Sequence, residues 1–162
     1  MTERKKKVIP VYVFFIVTAL AAGGISAFIT RDNMDIYSEI VKPPLSPPGF
    51  LFPVVWTVLY ILMGISGAMI WLRRDKYKDK AENALLWYAA SLVVNFIWSP
   101  VFFNFRLFLL SFIILVVLLI LILKTVWEYR RIFPLAAYLQ IPYIIWVSFA
   151  GYLSLAIWIL NK

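Results

Sequence analysis

The sequence predicts an all-α integral membrane protein, a single bundle of five transmembrane helices, and three observations carry that expectation. Hydrophobic residue types make up 64% of the 162 residues, far above the roughly 45–50% of a soluble domain. Charged residues are only 15% of the chain and are bunched, leaving five uncharged runs. Those runs are continuously apolar and near or above the ~18 residues needed to cross a bilayer. A β-barrel strand would instead alternate and span in about 10 residues.

The spans are expected at about 8–30, 48–72, 83–105, 107–123 and 134–160, filling one domain over 1–162. Arg4 to Lys7 before the first run suggest a signal peptide, but a signal core is about 7–15 residues. The run from Val8 to Ile29 is longer and contains Gly23-Gly24, so it reads as the first helix. The fourth run, Leu107 to Leu123, has 17 residues, with Arg106 and Lys124 able to extend their stems to the interface. Between the first two spans, Arg31 to Phe50 is long and ends in Lys42-Pro43-Pro44-Leu45-Ser46-Pro47-Pro48-Gly49. Prolines at that density block an early helix start, so the second helix should begin near Pro48 or Phe50, with the segment before it lying across one mouth of the bundle as a lid or serving as a connector.

Of the 16 basic residues, 12 lie in the N-terminus, the 73–82 loop and the 124–131 loop, and only Arg31, Lys42, Arg106 and Lys162 fall on the other side. By the positive-inside tendency the N-terminus is expected in the cytoplasm and the C-terminus outside. The short basic flanks, with no organelle-type extension, favour a bacterial plasma membrane. The +8 net charge follows from this topology and anionic headgroups, so no nucleic-acid partner is expected. With no Cys and no His, disulfides, thiolate or imidazole metal sites and imidazole acid-base catalysis are excluded. No cofactor or metal is expected. No charged residue lies well inside a span, which argues against a pump or ion-coupled transporter.

Trp71, Trp87, Trp127 and Trp158 fall near span ends, as interfacial belts do, whereas Trp56, Trp98 and Trp146 lie deeper. Trp56, Tyr60, Gly64 and Gly67 share a face of the second helix, Asn95, Trp98 and Phe102 of the third, and Tyr143, Trp146 and Ala150 of the fifth. Three helices therefore present aromatic and polar groups at similar depth, either as core or lipid-facing packing or as the wall of a pocket for a flat apolar ligand. Asn95 lies near mid-span, where an unpaired amide costs roughly 2–7 kcal/mol. It must face the interior, as interhelical glue or as a ligand's hydrogen-bond partner. Ala19, Gly23 and Ala27 on the first helix, with Gly64 and Ala68 on the second, have the spacing of close helix packing, inside the monomer or across a homodimer.

The same residues resemble the translocator protein family, the TspO/MBR or tryptophan-rich sensory proteins. The matching blocks are Lys42-Pro43-Pro44 with Pro47-Pro48-Gly49, Pro53-x-x-Trp56-Thr57-x-Leu59-Tyr60-x-x-Met63-Gly64, Asn95-Phe96-x-Trp98-Ser99-Pro100-x-Phe102-Phe103, and Pro142-Tyr143-x-x-Trp146-x-x-Phe149-Ala150. Four blocks in order cover nearly the whole chain. The resemblance implies a five-helix bundle, often a homodimer, that binds tetrapyrroles such as protoporphyrin IX and benzodiazepine- or isoquinoline-type ligands beneath the loop after the first helix. It implies a pocket lined by Trp56, Asn95, Trp98, Trp146 and Ala150. Helical spacing adds Tyr60, Phe102 and Tyr143, and the lid would use Tyr37, Pro43, Pro44 and Leu45. Leu45 stands where the family's loop Trp is usual, and Ile36 where a Trp often precedes the loop Tyr. Leu155 replaces the Tyr of the animal sterol motif; a looser pattern, Val126, Tyr129 and Arg131, remains.

Three functions follow as expectations. The first is a porphyrin receptor or sensor using the aromatic pocket. The second is light- and oxygen-dependent porphyrin degradation, an activity the resemblance implies for some members, with Trp56 or Trp146 as electron partner because no acid-base constellation is present. Porphyrin or lipid transport is third, lacking charged gates or mid-span helix breaks beyond Pro100 and Pro142.

Overall fold

A computed structural model describes residues 3–162, with side chains described from Val8 onward. The elements are α1 (Glu3–Thr30), a single 3-10 turn (Arg31–Asn33), α2 (Ile36–Glu39), α3 (Leu51–Trp71), α4 (Lys78–Phe103), α5 (Phe108–Arg130), α6 (Pro134–Tyr138) and α7 (Ile141–Leu160). Among the described residues, five helical segments are long and apolar enough to span a membrane, α6 and α7 forming one of them. The protein is an all-α, multi-pass membrane protein.

Two helices extend beyond their apolar runs. α4 begins at Lys78, and α5 continues past Leu123 to Arg130. Lys124 pairs with Glu128 at 3.0 Å one turn later, Arg131 reaches the same carboxylate at 3.6 Å, and Thr125 bonds back to the Leu121 carbonyl at 2.8 Å. Such i,i+4 pairs prolong a helix into the headgroup zone. The basic segment expected as a loop from Lys124 to Arg131 is therefore mostly helix, and Trp127 is helical. The last span is broken at Leu139-Gln140. Pro142 cannot supply the amide that the Tyr138 carbonyl would accept. Gln140 secures the break by donating from Nε2 to Ser66 Oγ on α3, at 2.6 Å.

α1 packs on α3 and α4, α4 on α5, and α5 on α7. Glycines set the α1–α3 distance. A Cβ at Gly64 would lie 2.5 Å from Ile16 Cα, and one at Gly23 would strike the Tyr60 ring. Ala19 is fully buried on the same face. Ala19, Gly23, Gly64 and Ala68 thus pack inside the monomer, while Ala27 of the same stripe is exposed. α3 and α7 meet through large side chains instead of close backbones, as Phe52–Trp146 and Trp56–Tyr143 ring contacts show.

Pro100 leaves the Phe96 carbonyl without its intrahelical donor. Ser26 Oγ of α1 donates to it at 3.0 Å. Thr30 Oγ1 then lies 3.5 Å from Ser99 Oγ, and Asn104 Nδ2 donates to the Ile29 carbonyl at 3.2 Å. The end of α1 is stitched to α4 by these three bonds.

Residues 31–50 cross the end of the bundle formed by the C-termini of α1, α4 and α7. Asn161 clamps Val41 through both amide atoms, accepting from its N–H at 2.9 Å and donating to its carbonyl at 3.0 Å. Tyr152 donates to the Pro44 carbonyl at 2.9 Å, Asn33 to Asn104 Oδ1 at 3.0 Å, and Arg106 pairs with Glu39 at 3.5 Å. The segment is a fastened lid.

Candidate functional site: an aromatic cavity under the lid

The cavity grows from a three-helix hydrogen-bond clamp. Tyr60 of α3 donates to Asn95 Oδ1 at 2.7 Å, and Asn95 Nδ2 of α4 donates to the Tyr143 hydroxyl of α7 at 2.7 Å. Asn95 is 3% exposed and Tyr143 1%. The ring of Tyr60 reaches this position only because Gly23 offers it space, so a glycine on α1 helps place a polar group on α3. Asn95 ties the three helices together and keeps one amide hydrogen and one lone pair beyond those two bonds.

Above the clamp, toward the lid, Trp56 stacks on Tyr60 with centroids 5.6 Å apart and lies 6.0 Å from Trp98. These rings border a cavity of about 90 Å³. Its walls are Trp56, Tyr60, Phe52 and Pro53 of α3, Asn95, Trp98, Ser99 and Phe103 of α4, Gly23, Ser26 and Ala27 of α1, and Met34 of the lid. Trp98 Nε1 is buried and finds no acceptor among the described residues. A second, smaller cavity of about 20 Å³ lies on the other side of Trp98 and Phe52.

Trp56, Tyr60, Asn95 and Trp98 line the larger cavity, while Phe102 and Ala150 line the smaller one with Tyr37 of the lid. Tyr143 sits behind the wall, bonded to Asn95 and edge-on to Trp56. Trp146 lines neither cavity; Phe52 stands between it and the larger one, edge-on to its ring at 5.7 Å. Among the expected lid residues, Tyr37 donates to the Pro47 carbonyl at 2.9 Å and packs edge-on against Phe52, and Pro43 is buried. Pro44 serves through its carbonyl, and Leu45, 82% exposed at φ 67°, points away from the cavity.

Sequence reasoning missed the α1 wall. Gly23 and Ala27 carry the small-residue signal of helix packing, and the same smallness leaves room for a cavity once α1 diverges from α3. Ser26 had a readable signal in Pro100, since a mid-helix proline orphans a carbonyl that a neighbouring hydroxyl can satisfy; Ser99 stood only within a matched block. Met34 and Phe52 had none beyond being apolar, and Phe103 only its place in a matched block.

At about 90 Å³ the cavity is smaller than the ~150 Å³ that admits a benzene and well below the ~300–1,000 Å³ of ligand pockets. The cavity is therefore narrow but not sealed, since Ala27 and Pro53 in its wall are exposed, and a planar guest would need it widened. Its chemistry is aromatic faces for stacking, with Asn95 and Ser99 as polar groups in the wall.

Residues 14–159 match the TspO/MBR family. The chain is 36% identical to the tryptophan-rich protein TspO of Chlorobaculum tepidum over 84% of this chain and 85% of that protein. It is 31% identical to protein CrtK of Rhodobacter capsulatus, covering 93% of this chain and 92% of that one. It is also 29% identical to the human translocator protein over 82% and 79%. The chain belongs to the TspO/MBR family.

Proposed function

We propose that this protein is a membrane receptor or sensor that binds planar, largely apolar ligands of the tetrapyrrole class in the cavity beneath the lid. The single observation that carries this reading is the pair of adjoining indoles, Trp56 and Trp98, bordering one cavity together with the polar side chains of Asn95 and Ser99. A guest stacked on Trp56 and bearing a polar edge could accept the amide hydrogen that Asn95 does not spend on Tyr143. The names of relatives, sensory and translocator proteins, agree with a ligand-responsive membrane role. The reading keeps the N-terminus cytoplasmic and the lid outside in a bacterial plasma membrane.

Protoporphyrin IX titrated against the protein in lipid nanodiscs, with tryptophan fluorescence as readout, tests the site. Aromatic pairs contribute about 0.5–1.5 kcal/mol beyond area burial, so Trp56→Leu should weaken binding about tenfold. Trp146→Phe, outside both cavities, should stay within about twofold by the same conversion. Equal affinities in the two variants would reject this cavity as the site.

A further inference from the structure

We infer that guests reach the cavity sideways from the bilayer, through the seam between the lid-side ends of α1 and α3, while the lid stays closed. This rests on the cavity being the binding site and concerns which molecules can get there: those dissolved in the membrane.

The walls are unequally fastened. On the α4 side, α1 is held by Ser26 to the Phe96 carbonyl, by Thr30 against Ser99 and by Asn104 to the Ile29 carbonyl. Above, the lid is held by the two-atom clamp of Asn161 on Val41, by Tyr152 on Pro44, by Asn33 on Asn104 and by the Arg106–Glu39 pair. On the α3 side, among the described residues, no hydrogen bond joins α1 to α3.

The exposed part of the cavity wall lies at that unfastened seam. Ala27 of α1 and Pro53 of α3 are exposed, and Met34 at the foot of the lid is 39% exposed. Ala27 and Pro53 belong to membrane-spanning helices, so what they face is lipid. Pro53 has no backbone N–H, which leaves this stretch of the seam without a donor to bind across it. Parting apolar helix surfaces in a bilayer costs little, because acyl chains replace the lost contacts. Lifting the lid instead breaks several polar links at once. Farther from the lid the seam is zipped by Gly23 against Tyr60 and Gly64 against Ile16. The same parting enlarges a cavity otherwise too small for a planar guest, so entry and widening are one movement.

The chain has no cysteine, which makes engineered thiols unique. Ala27→Cys, reacted with a bulky membrane-soluble maleimide, plugs the seam; Ile25→Cys, exposed on α1 outside the cavity lining, controls for labelling. Val41→Cys with Asn161→Cys, joined by a short bifunctional reagent, locks the lid. In nanodiscs, stopped-flow quenching by protoporphyrin IX should show association and release both slowed at least tenfold by the plug. The locked lid and labelled Ile25→Cys should remain within twofold of wild type. The wild-type rate should follow the porphyrin mole fraction in the bilayer at fixed aqueous concentration. A slow locked lid with a fast plugged seam would overturn the route, as would loss of affinity in the plugged protein without slowed release. Absence of saturable quenching in the wild type would instead overturn the site, and the route with it.

Discussion

Replacing Asn95 by Leu should destabilise the bundle far more than the loss of one polar side chain suggests. The amide links three helices through two bonds of 2.7 Å, and its removal strands the hydroxyls of Tyr60 and Tyr143 in an apolar interior. Interhelical hydrogen bonds in membranes average about 0.6 and reach about 1.7 kcal/mol, whereas a stranded buried group costs about 1–3 kcal/mol. With two stranded hydroxyls, about 2–6 kcal/mol is expected. The triple variant Asn95→Leu, Tyr60→Phe, Tyr143→Phe contains no orphaned group and should recover to within about 1 kcal/mol of wild type, since removing every partner together is nearly neutral. With the Tyr60→Phe, Tyr143→Phe variant as the fourth corner, unfolding in mixed detergent micelles, followed by far-UV circular dichroism, gives the coupling energy between Asn95 and the tyrosine pair. If Asn95→Leu costs under about 0.5 kcal/mol, or the triple variant loses the sum of its single losses, the clamp is not the organising contact described here.

Gly64→Ala should cost about 1–3 kcal/mol, because its Cβ would meet the Ile16 backbone, which cannot step aside; Gly67→Ala meets the movable Phe15 side chain and should cost less in the same unfolding assay. Leu45 holds a left-handed φ of 67° with 82% of its surface exposed, a conformation costing roughly 1–2 kcal/mol for an ordinary L-residue. Leu45→Asn should therefore slow proteolysis within the lid, as the fraction cut at fixed time will show. Burial raises the Tyr37 hydroxyl above its usual pKa, with the Ser46 side chain partly opposing it. A raised folded-state value means that Tyr37 contributes stability below the unfolded pKa near 10 and loses it as pH climbs through the folded value. Lid proteolysis should accelerate in that alkaline window in wild type but not in Tyr37→Phe, whose hydroxyl is absent throughout.

Much of this architecture was legible because a bilayer imposes a harsh grammar: uncharged runs became spans, and Asn95 near mid-span could only turn inward. What the sequence hid depends on how side chains from different helices share space. Lys124, Glu128 and Arg131 looked like a basic loop because hydropathy registers charge, whereas their i,i+4 and i,i+3 pairing on a continuing helix is a matter of geometry. Trp146 shares the depth and facing of Trp56 and Trp98, yet periodicity cannot reveal that Phe52 stands in front of it. Gly23 read as a packing glycine and is one, but the ring it admits is Tyr60, so packing and site are inseparable there.

A receptor must carry the presence of a guest to its far side, and α1 has the form to do so. It is a helix of 28 residues, about 42 Å long at 1.5 Å per residue. Its closest backbone contact with α3, at Ile16 against Gly64, lies near its middle. If the lid-side end moves away from α3 to admit a guest, a rigid helix turning about that contact moves its other end by a similar distance in the opposite sense. Spin labels at Ile9→Cys and Asp75→Cys would report that end against the end of α3. Addition of protoporphyrin IX should shift their separation by as much as a pair at Ile25→Cys and Val54→Cys, between α1 and α3, shifts near the lid. The Gly23–Gly24 pair lies between the pivot and the seam, and glycine pairs are places where helices bend. A shift near the lid with none at Ile9 would mean that α1 bends there and absorbs the movement, and the signal would then have to leave the molecule on the lid side.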